Sequence, residues 1–296
     1  MSADDVQAAE ALRADAADQL PRSGYAGAIL TSFQHTLSLL RRHRWSIFGI
    51  LLAFLPVLIP IVTSLFDAAA TVPRGIDIFT QLTEKLYLNV IAPLFALFFG
   101  CMLIADDVEN HTLQYILTRP VPRSAAVFGR FAAYFVFVSA VLISSLVFAF
   151  AACTTLGNFS ATAGNLRLLA HYIGVLLAAL ATYGALSMCL GAYFSKRPVV
   201  YGIVYFFGWQ HVAMILPGIA DFLTVRKYLN AILPPLATQR DNPALQITIA
   251  EFQKTEYAVG AGKSILILAA ITLAFLLLTA LILRLREYTP ARAAGA

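Results

Sequence analysis

The stretch Asp106–Arg130, DDVENHTLQYILTRPVPRSAAVFGR, separates two long apolar segments and carries a helical pattern of its own. Asp106 and Asp107 stand where a helix N-cap belongs, because a short side-chain oxygen there can accept hydrogen bonds from the free N–H groups of the first turn. Glu109, three residues after Asp106, completes an approximate capping box. A helix is therefore predicted to begin at Asp106.

The side chains that follow Glu109 divide onto two sides of a helix at 100° per residue. The polar side carries Asn110, His111, Gln114 and Thr118, and the apolar side carries Leu113, Ile116 and Leu117. Pro120 and Pro122 then stop the helix, because proline lacks the N–H that a continuing helix needs. The pattern predicts a short amphipathic helix, Asp106–Thr118, held between two membrane-crossing segments.

The composition of the whole chain is that of a membrane protein. Of 296 residues, 59% are hydrophobic and 12% are charged, and the mean hydropathy is +0.76. Soluble domains carry about 25% charged residues, which is roughly twice the charged fraction of this chain. The fold is predicted to be all-α and polytopic.

Six apolar runs are long enough, at 1.5 Å per residue, to cross a hydrocarbon core of about 30 Å. They are 45–65, 86–104, 131–153, 168–194, 199–218 and 264–283. A polar tail, 1–24, precedes a membrane domain, 25–287, and a short tail, 288–296, follows it. Pro56 and Pro60 predict a kink in the first run.

The segment 26–44 is a candidate interfacial helix that leads into the first run. Its apolar residues recur at a 3-4-3 spacing, and its end is rich in arginine, which favours anionic head groups. The apolar positions are Leu30, Phe33, Leu37 and Leu40. An amphipathic helix that lies on a membrane without a mechanical role fits the same pattern.

Orientation follows from the distribution of Lys and Arg. With both termini in the cytoplasm, 13 of the 21 basic residues fall inside and 8 outside, and the bias is strong in the short loops that set topology. The helix Asp106–Thr118 is then cytoplasmic. The long outer segment, 219–263, is predicted to form short helices packed on the outer ends of the spans.

The central stretch resembles a known pattern. Glu109, Thr112-Leu113, Leu117, Arg119-Pro120-Val121, Arg123 and Gly129-Arg130 are similar to the E…GTL…LL…RPV-x-R…GK pattern of ABC-2 type transporter permeases. The layout of the spans from Tyr25 to Glu287 is similar as well. Two positions depart from the pattern: His111 stands where the family usually has Gly, and Arg130 replaces the usual Lys.

The resemblance implies the membrane-spanning subunit of an ATP-driven transporter, an exporter, in a prokaryotic cytoplasmic membrane. Two copies would pair, each docked on a separate ABC ATPase subunit. The segment 26–44 would be the family's elbow helix and Asp106–Thr118 its coupling helix. The residues expected to contact the ATPase are Asp107, Glu109, His111, Leu113, Gln114, Ile116, Leu117, Thr118 and Arg119.

Nucleotide binding by this chain itself is not expected. Gly262-Lys263-Ser264 looks like the end of a phosphate-binding loop, but the Walker A pattern requires Gly where Tyr257 stands. A membrane span, rather than a strand followed by a loop, surrounds Lys263. The chain is therefore expected to hold no cofactor of its own, with ATP and Mg on the partner ATPase, and no nucleic acid is expected as a partner.

Polar residues within the predicted spans are candidates for a pathway or gate at the dimer interface. Gln210 and His211 lie in the fifth run and Asn89 lies in the second, at depths where polar groups usually face a bundle or cavity. Side-chain hydrogen bonds between helices are the simpler explanation. Cys101, Cys153 and Cys189 have no C-x-x-C spacing, so a metal site is not expected.

The six runs as drawn contain no Asp or Glu. Secondary carriers commonly use buried carboxylates to couple ions to transport, and H-E-x-x-H and G-x-S-x-G motifs are absent from the sequence. Energy is therefore expected to enter through a partner. A membrane scaffold that binds a cytoplasmic protein through Asp106–Thr118 is the main alternative, and a secondary carrier is the third.

Overall fold

The computed structural model describes residues 25–66, 75–109, 123–156, 163–194, 197–210, 212, 222–233 and 259–285. These residues form helices and short connections, and no strand occurs among them. The predicted all-α class is confirmed for this part of the chain.

The helices are numbered in chain order. They are α1 (Tyr25–Arg42), α2 (Arg44–Phe54), α3 (Leu58–Phe66), α4 (Gly75–Gln81), α5 (Ala92–Glu109), α6 (Arg123–Leu156), α7 (Ala163–Tyr193), α8 (Pro198–Ile203), α9 (Val225–Asn230) and α10 (Ala261–Leu285). A 3-10 turn, Leu55–Val57, joins α2 to α3. Two π-helical segments, Leu82–Ile91 and Val204–Trp209, continue α4 into α5 and extend α8.

Four helical stretches among the described residues are long and apolar enough to cross a membrane. They are Gly75–Ile104, Ser124–Thr154, Asn165–Tyr193 and Ala261–Leu285. A fifth arises if Tyr25–Arg42 and Ser46–Val62, which meet at an angle of 71°, count as one broken span. These stretches contain all or nearly all of the predicted runs 86–104, 131–153, 168–194 and 264–283.

The two remaining runs are not among these four stretches. The first, 45–65, is divided by the 3-10 turn at Leu55–Val57, as expected from Pro56, whose missing N–H breaks the regular hydrogen-bond pattern. Of the run 199–218, the apolar helix Pro198–Trp209 is described, while 213–218 lie outside the described residues.

The second membrane helix begins at Gly75, eleven residues before the predicted start at 86. Phe79 explains the extension, because its ring packs edge-on against Phe150 at 5.2 Å and Tyr172 at 5.8 Å. The added turns carry Asp77 and Glu84. The expectation that the spans lack acidic residues is therefore wrong for this helix.

The core of the bundle is the close contact between α5 and α7. A Cβ added at Gly100 would lie 2.8 Å from the Ser187 Cβ, and one at Gly191 would lie 3.0 Å from the Cys101 carbonyl oxygen. The Cys101 thiol donates to the Ser187 carbonyl at 3.2 Å. Small side chains let the two backbones approach, which is how membrane helices associate without a hydrophobic driving force.

α6 is bonded to its neighbours by buried hydroxyl groups. The Tyr134 hydroxyl donates to the Leu180 carbonyl of α7 at 3.2 Å. The Tyr87 hydroxyl lies 2.7 Å from Ser145 Oγ, which donates in turn to the Ala53 carbonyl. These bonds satisfy polar groups that neither lipid nor an apolar core could satisfy.

Two glycines of α7 test the packing. A Cβ at Gly184 would lie 2.2 Å from Tyr134 Cε1, whereas one at Gly174 would have no neighbour within 4 Å. We expect Gly184→Ala to destabilise the fold by about 1–3 kcal/mol through overpacking. Gly174→Ala should leave stability unchanged or slightly raised, because alanine favours helix. Thermal unfolding midpoints in detergent would measure both, and equal midpoints for the two variants would contradict the packing described here.

Candidate functional site at the helix ends beside the polar stretch

The polar stretch that organises the sequence lies between α5 and α6. α5 continues through Asp106 and Asp107 as far as Glu109. The prediction that Asp106 caps a separate helix is therefore wrong, because neither glycine nor proline occurs between Cys101 and Glu109 to end the helix that arrives from the membrane. The backbone of Asp107 and Glu109 is helical.

The other expected coupling residues lie outside the described part of the chain. They are His111, Leu113, Gln114, Ile116, Leu117, Thr118 and Arg119. What the structure does describe is how the helices on either side of them are held.

Arg130 joins the two flanking helices. Its side chain extends from the second turn of α6, is only 9% exposed, and donates from Nη1 to the Leu103 carbonyl of α5 at 3.3 Å. A hydrogen bond from a charged donor is stronger than a neutral one, and its low-dielectric surroundings strengthen it further. The ends of α5 and α6 that border residues 110–122 are therefore tied together.

α1 packs on the beginning of α6. The Tyr25 hydroxyl donates to Ser124 Oγ at 3.2 Å, and Ser32 Oγ donates to the Ala126 carbonyl at 3.2 Å. A Cβ added at Gly129 would lie 2.6 Å from the Ile29 carbonyl oxygen. Position 129 therefore accommodates no larger residue without a shift of α1.

The most buried side chains of α1 only partly coincide with the predicted apolar stripe. Ala28, Thr36 and Leu40 are buried, whereas Leu30 is 55% exposed. The positions 28, 32, 36 and 40 recur every fourth residue and are mostly small, which permits the close approach to α6. Of the predicted apolar stripe, Leu40 is buried, Phe33 and Leu37 are half-buried and Leu30 is exposed.

Gln210 is brought to the interior of the bundle. It is 2% exposed, and its Oε1 accepts a hydrogen bond from the Tyr183 hydroxyl of α7 at 3.2 Å. Its Nε2 has no hydrogen-bond partner in the described part of the chain. Tyr183, which the sequence did not single out, is thus the residue that positions this amide.

The other two pathway candidates are placed differently. Asn89 is half-buried in the π-helical segment and its Nδ2 donates to the Glu84 carbonyl at 2.8 Å, within its own helix. His211 lies outside the described residues. Only Gln210, of the three, is shown bonding to a different helix.

Glu84 is a second polar residue that the sequence reading missed. Its half-buried carboxylate accepts a hydrogen bond from the Tyr172 hydroxyl of α7 at 2.8 Å. The apolar residues Ile76, Phe79 and Leu82 recur every third residue. This spacing indicates that the membrane helix extends to residues before Lys85 and therefore includes Glu84.

Arg226 belongs to α9, although its position in the sequence suggested an outer loop. Its side chain is half-buried, and its Nε has no hydrogen-bond partner among the described residues. Burial lowers the pKa of the Arg226 guanidinium from its ordinary value, although arginine remains protonated in proteins.

The segment 222–233 is held against the spans by two hydrogen bonds, and a third lies within the segment. The Tyr205 hydroxyl donates to the Leu223 carbonyl at 3.4 Å, and the Tyr228 hydroxyl donates to the Phe222 carbonyl at 3.0 Å. The His171 Nε2 lies 2.7 Å from the Ile232 carbonyl oxygen. The segment that carries Arg226 is thus attached to α7 and to the π-helical segment Val204–Trp209.

Comparison with known proteins agrees with the architecture. No curated protein matches the chain. A family model described as ABC-2 family transporter protein matches residues 1–287. Members of that family are multi-pass membrane subunits that serve transport and pair with an ABC ATPase subunit. Because the match spans nearly the whole chain and the described residues form apolar helices of membrane-spanning length, this protein belongs to the ABC-2 family of transporter permeases.

Proposed function

We propose that the chain is the membrane-spanning subunit of an ATP-driven exporter with six spans and both termini in the cytoplasm. Two copies would pair, and each would dock on a separate ABC ATPase subunit that holds ATP and Mg. The observation that carries the proposal is the Arg130–Leu103 hydrogen bond, which ties together the helices on either side of residues 110–122.

A force applied to residues 110–122 would move α5 and α6 as one body. The Arg130 bond resists their separation, and α1 is packed on the first turns of α6, so it would move with them. α5 in turn contacts α7 through Gly100 and Ser187 with no room to slide freely. Packed helices transmit displacement as rigid bodies because their interiors are nearly incompressible.

The displacement would reach the polar interior through α7. This helix carries Tyr183, which bonds Gln210. In the proposed mechanism Gln210 and His211 line the substrate pathway near the interface between two copies, with Asn89 on the second span. Closure of the ATPase would thereby alter the pathway without any chemistry on this chain.

The contact with the ATPase is assigned to Asp107, Glu109 and the polar and apolar sides of the segment up to Arg119. Asp107 and Glu109 extend the membrane helix α5 itself, so a partner that engages them pulls directly on a span. Carboxylates at this place suit a basic groove on the ATPase.

Glu84 is the one observation that favours a secondary carrier. It places a carboxylate within the helix Gly75–Ile104, where an ion-coupled carrier would need one. The scaffold alternative gains no comparable observation. ATP coupling and ion coupling predict different effects of Glu84→Gln.

Glu109→Arg should uncouple the complex, whereas Glu109→Gln should be mild. Glu109→Arg places a cation against a basic groove, and burying an unpaired charge costs several kcal/mol. Glu109→Gln keeps the shape of the side chain and removes only its charge. The measurements are co-purification of the ATPase and its ATPase activity in lipid. Normal association and activity in Glu109→Arg would show that Glu109 does not take part in the contact with the ATPase.

Arg130→Met should leave the ATPase bound but weaken coupling. Methionine keeps the length of the side chain and removes the donors that reach Leu103, so α5 and α6 can move apart. We expect stimulation of the ATPase by the permease to fall about tenfold or more, consistent with about 1.5–3 kcal/mol for a charged hydrogen bond. Ser32→Ala, which removes one neutral hydrogen bond on the neighbouring contact, is the control and should change little. Equal stimulation in Arg130→Met and the control would show that the Arg130–Leu103 hydrogen bond does not contribute to coupling.

Glu84→Gln distinguishes an ATP-driven transporter from an ion-coupled carrier. The amide can still accept from Tyr172, so folding should persist while the ionisable group is lost. In proteoliposomes we expect equal ATP hydrolysis with and without an imposed pH gradient, in wild type and variant alike. Gradient-dependent activity that disappears in Glu84→Gln would instead support the carrier.

A further inference from the structure

At the break in the first apolar run, a side chain from another helix takes the place of a backbone donor. The turn Leu55–Val57 follows an i→i+3 hydrogen-bond pattern. In that pattern the Ala53 carbonyl would accept from residue 56, but Pro56 has no N–H to donate. The hydroxyl of Ser145, in the middle of α6, donates to the Ala53 carbonyl instead.

This bond is part of a chain of hydroxyl groups. The single hydroxyl proton of Ser145 goes to the Ala53 carbonyl, so the Tyr87 hydroxyl is the donor in its 2.7 Å contact with Ser145 Oγ. All three residues are fully buried, so neither bond faces bulk solvent. Hydrogen bonds in such a chain polarise and strengthen one another. The chain from Tyr87 through Ser145 to Ala53 is called here the hydroxyl chain.

The hydroxyl chain joins the first span to the second. Tyr87 belongs to the π-helical segment Leu82–Ile91, and its carbonyl accepts from the Ala92 N–H at the start of α5. The segment therefore continues into α5 without an interruption of the backbone hydrogen bonds. Because a helix moves as a rigid body, a displacement of α5 along its axis would move Tyr87 as well.

The two halves of the first span are packed differently. In α2, a Cβ added at Gly49 would lie 2.8 Å from Phe99 Cζ, so this half is in close contact with α5. Among the side chains of α3 that the structure describes, 58–62, Pro60 is buried and the other four are exposed. A tightly packed half and a largely exposed half, joined by a 3-10 turn, are typical of a hinge.

We propose that Leu55–Val57 is a hinge in the first span and that the hydroxyl chain lets the second span control its angle. While Ser145 donates to the Ala53 carbonyl, the bent state is favoured, because a buried carbonyl without a donor is costly. A displacement of the second span that separates Tyr87 from Ser145 weakens the bond to Ala53 and allows α3 to change direction. This role of the second span rests on the proposed function, in which the ATPase moves α5.

Tyr87 controls the hinge through the conformation of Ser145. A serine in a helix can bond to the carbonyl four residues earlier in its own helix, which for Ser145 is that of Val141. The bond from Tyr87 favours the side-chain conformation that reaches Ala53 instead. Loss of the Tyr87 hydroxyl should therefore weaken the contact at Ala53, although Tyr87 itself does not bond to the first span.

α6 supplies a matched control for each hydroxyl group. Ser144 precedes Ser145, but its Oγ donates to a carbonyl of its own helix at 2.8 Å. Tyr134 is as buried as Tyr87, but its hydroxyl donates to a carbonyl of α7 at 3.2 Å. Ser144→Ala and Tyr134→Phe therefore remove the same chemical groups as Ser145→Ala and Tyr87→Phe and leave the hydroxyl chain intact.

The experiment is hydrogen–deuterium exchange of the full-length protein in detergent, without the ATPase. Peptides that contain residues 54–59 report on the hinge, and peptides from α7 report whether the rest of the bundle stays folded. We expect Ser145→Ala to raise the exchange rate at 54–59 about tenfold, as loss of a donor to a buried carbonyl implies. Tyr87→Phe should raise it several-fold, and the two control variants should leave it unchanged. Tyr87→Phe removes only an oxygen atom and decides the outcome if Ser145→Ala disturbs α7.

A Pro56→Ala background tests whether Ser145 replaces the missing donor. Alanine restores an N–H at the break, so the Ala53 carbonyl no longer depends on α6. We expect Ser145→Ala to change the exchange rate at 54–59 by less than about twofold in this background. Such non-additivity is the signature of two residues that act on the same group.

Three results would overturn the proposal. Equal exchange at 54–59 in Ser145→Ala and Ser144→Ala would show that the bond to Ala53 does not stabilise the turn. Unchanged exchange in Tyr87→Phe would show that the second span does not control the hinge. An undiminished effect of Ser145→Ala in the Pro56→Ala background would show that Ser145 does not replace the missing N–H. None of these measurements involves the ATPase, so ATP coupling is tested separately.

Discussion

The close contact between α5 and α7 is the constraint on which the rest of the structure depends. Gly100 faces Ser187 and Gly191 faces Cys101 at distances that leave no room for another methyl group. In a membrane, helices gain little from burying apolar surface against each other, so close van der Waals packing must hold them together. With these two helices joined, every other element has a fixed surface to pack on.

That contact also connects the two regions of functional interest. α5 ends beside the polar stretch, where Arg130 holds it to α6, and α7 carries Tyr183 and Tyr172 in the interior. A displacement at the end of α5 thus has a short physical route to Gln210 and Glu84. The route consists of tightly packed side chains and does not require a flexible linker.

Polar side chains in the interior share one feature: nearly all are bonded to a backbone carbonyl or to a tyrosine. Tyr134 bonds the Leu180 carbonyl and Tyr172 bonds Glu84. Tyrosine suits this position because its ring packs with apolar neighbours while its hydroxyl satisfies a polar group. The exceptions among the described residues are Ser46 Oγ, Ser139 Oγ, Ser187 Oγ, Gln210 Nε2 and Arg226 Nε.

The sequence by itself determined the helical class, the membrane setting and the location of most apolar helices. Hydropathy decides these properties residue by residue, because each apolar side chain contributes to membrane transfer independently of its neighbours. The kink at Pro56 belongs to the same group, since a missing N–H is a local property. The family pattern around Glu109 and Arg130 was likewise readable from a short stretch, and the match over residues 1–287 agrees with it.

Only the tertiary structure decided where the polar residues lie and what they bond. The extension of the second helix to Gly75 depends on Phe79 meeting Phe150 and Tyr172, residues far away in sequence. α1 packs closely on α6 at Gly129, because this residue has no side chain to keep the two backbones apart. The contact therefore depends on close approach of the helices rather than on buried apolar area. The sequence placed residues 222–233 in an outer loop, and their attachment to α7 depends on His171 meeting the Ile232 carbonyl. Contacts of this kind join residues 40 to 100 positions apart, and no local pattern records them.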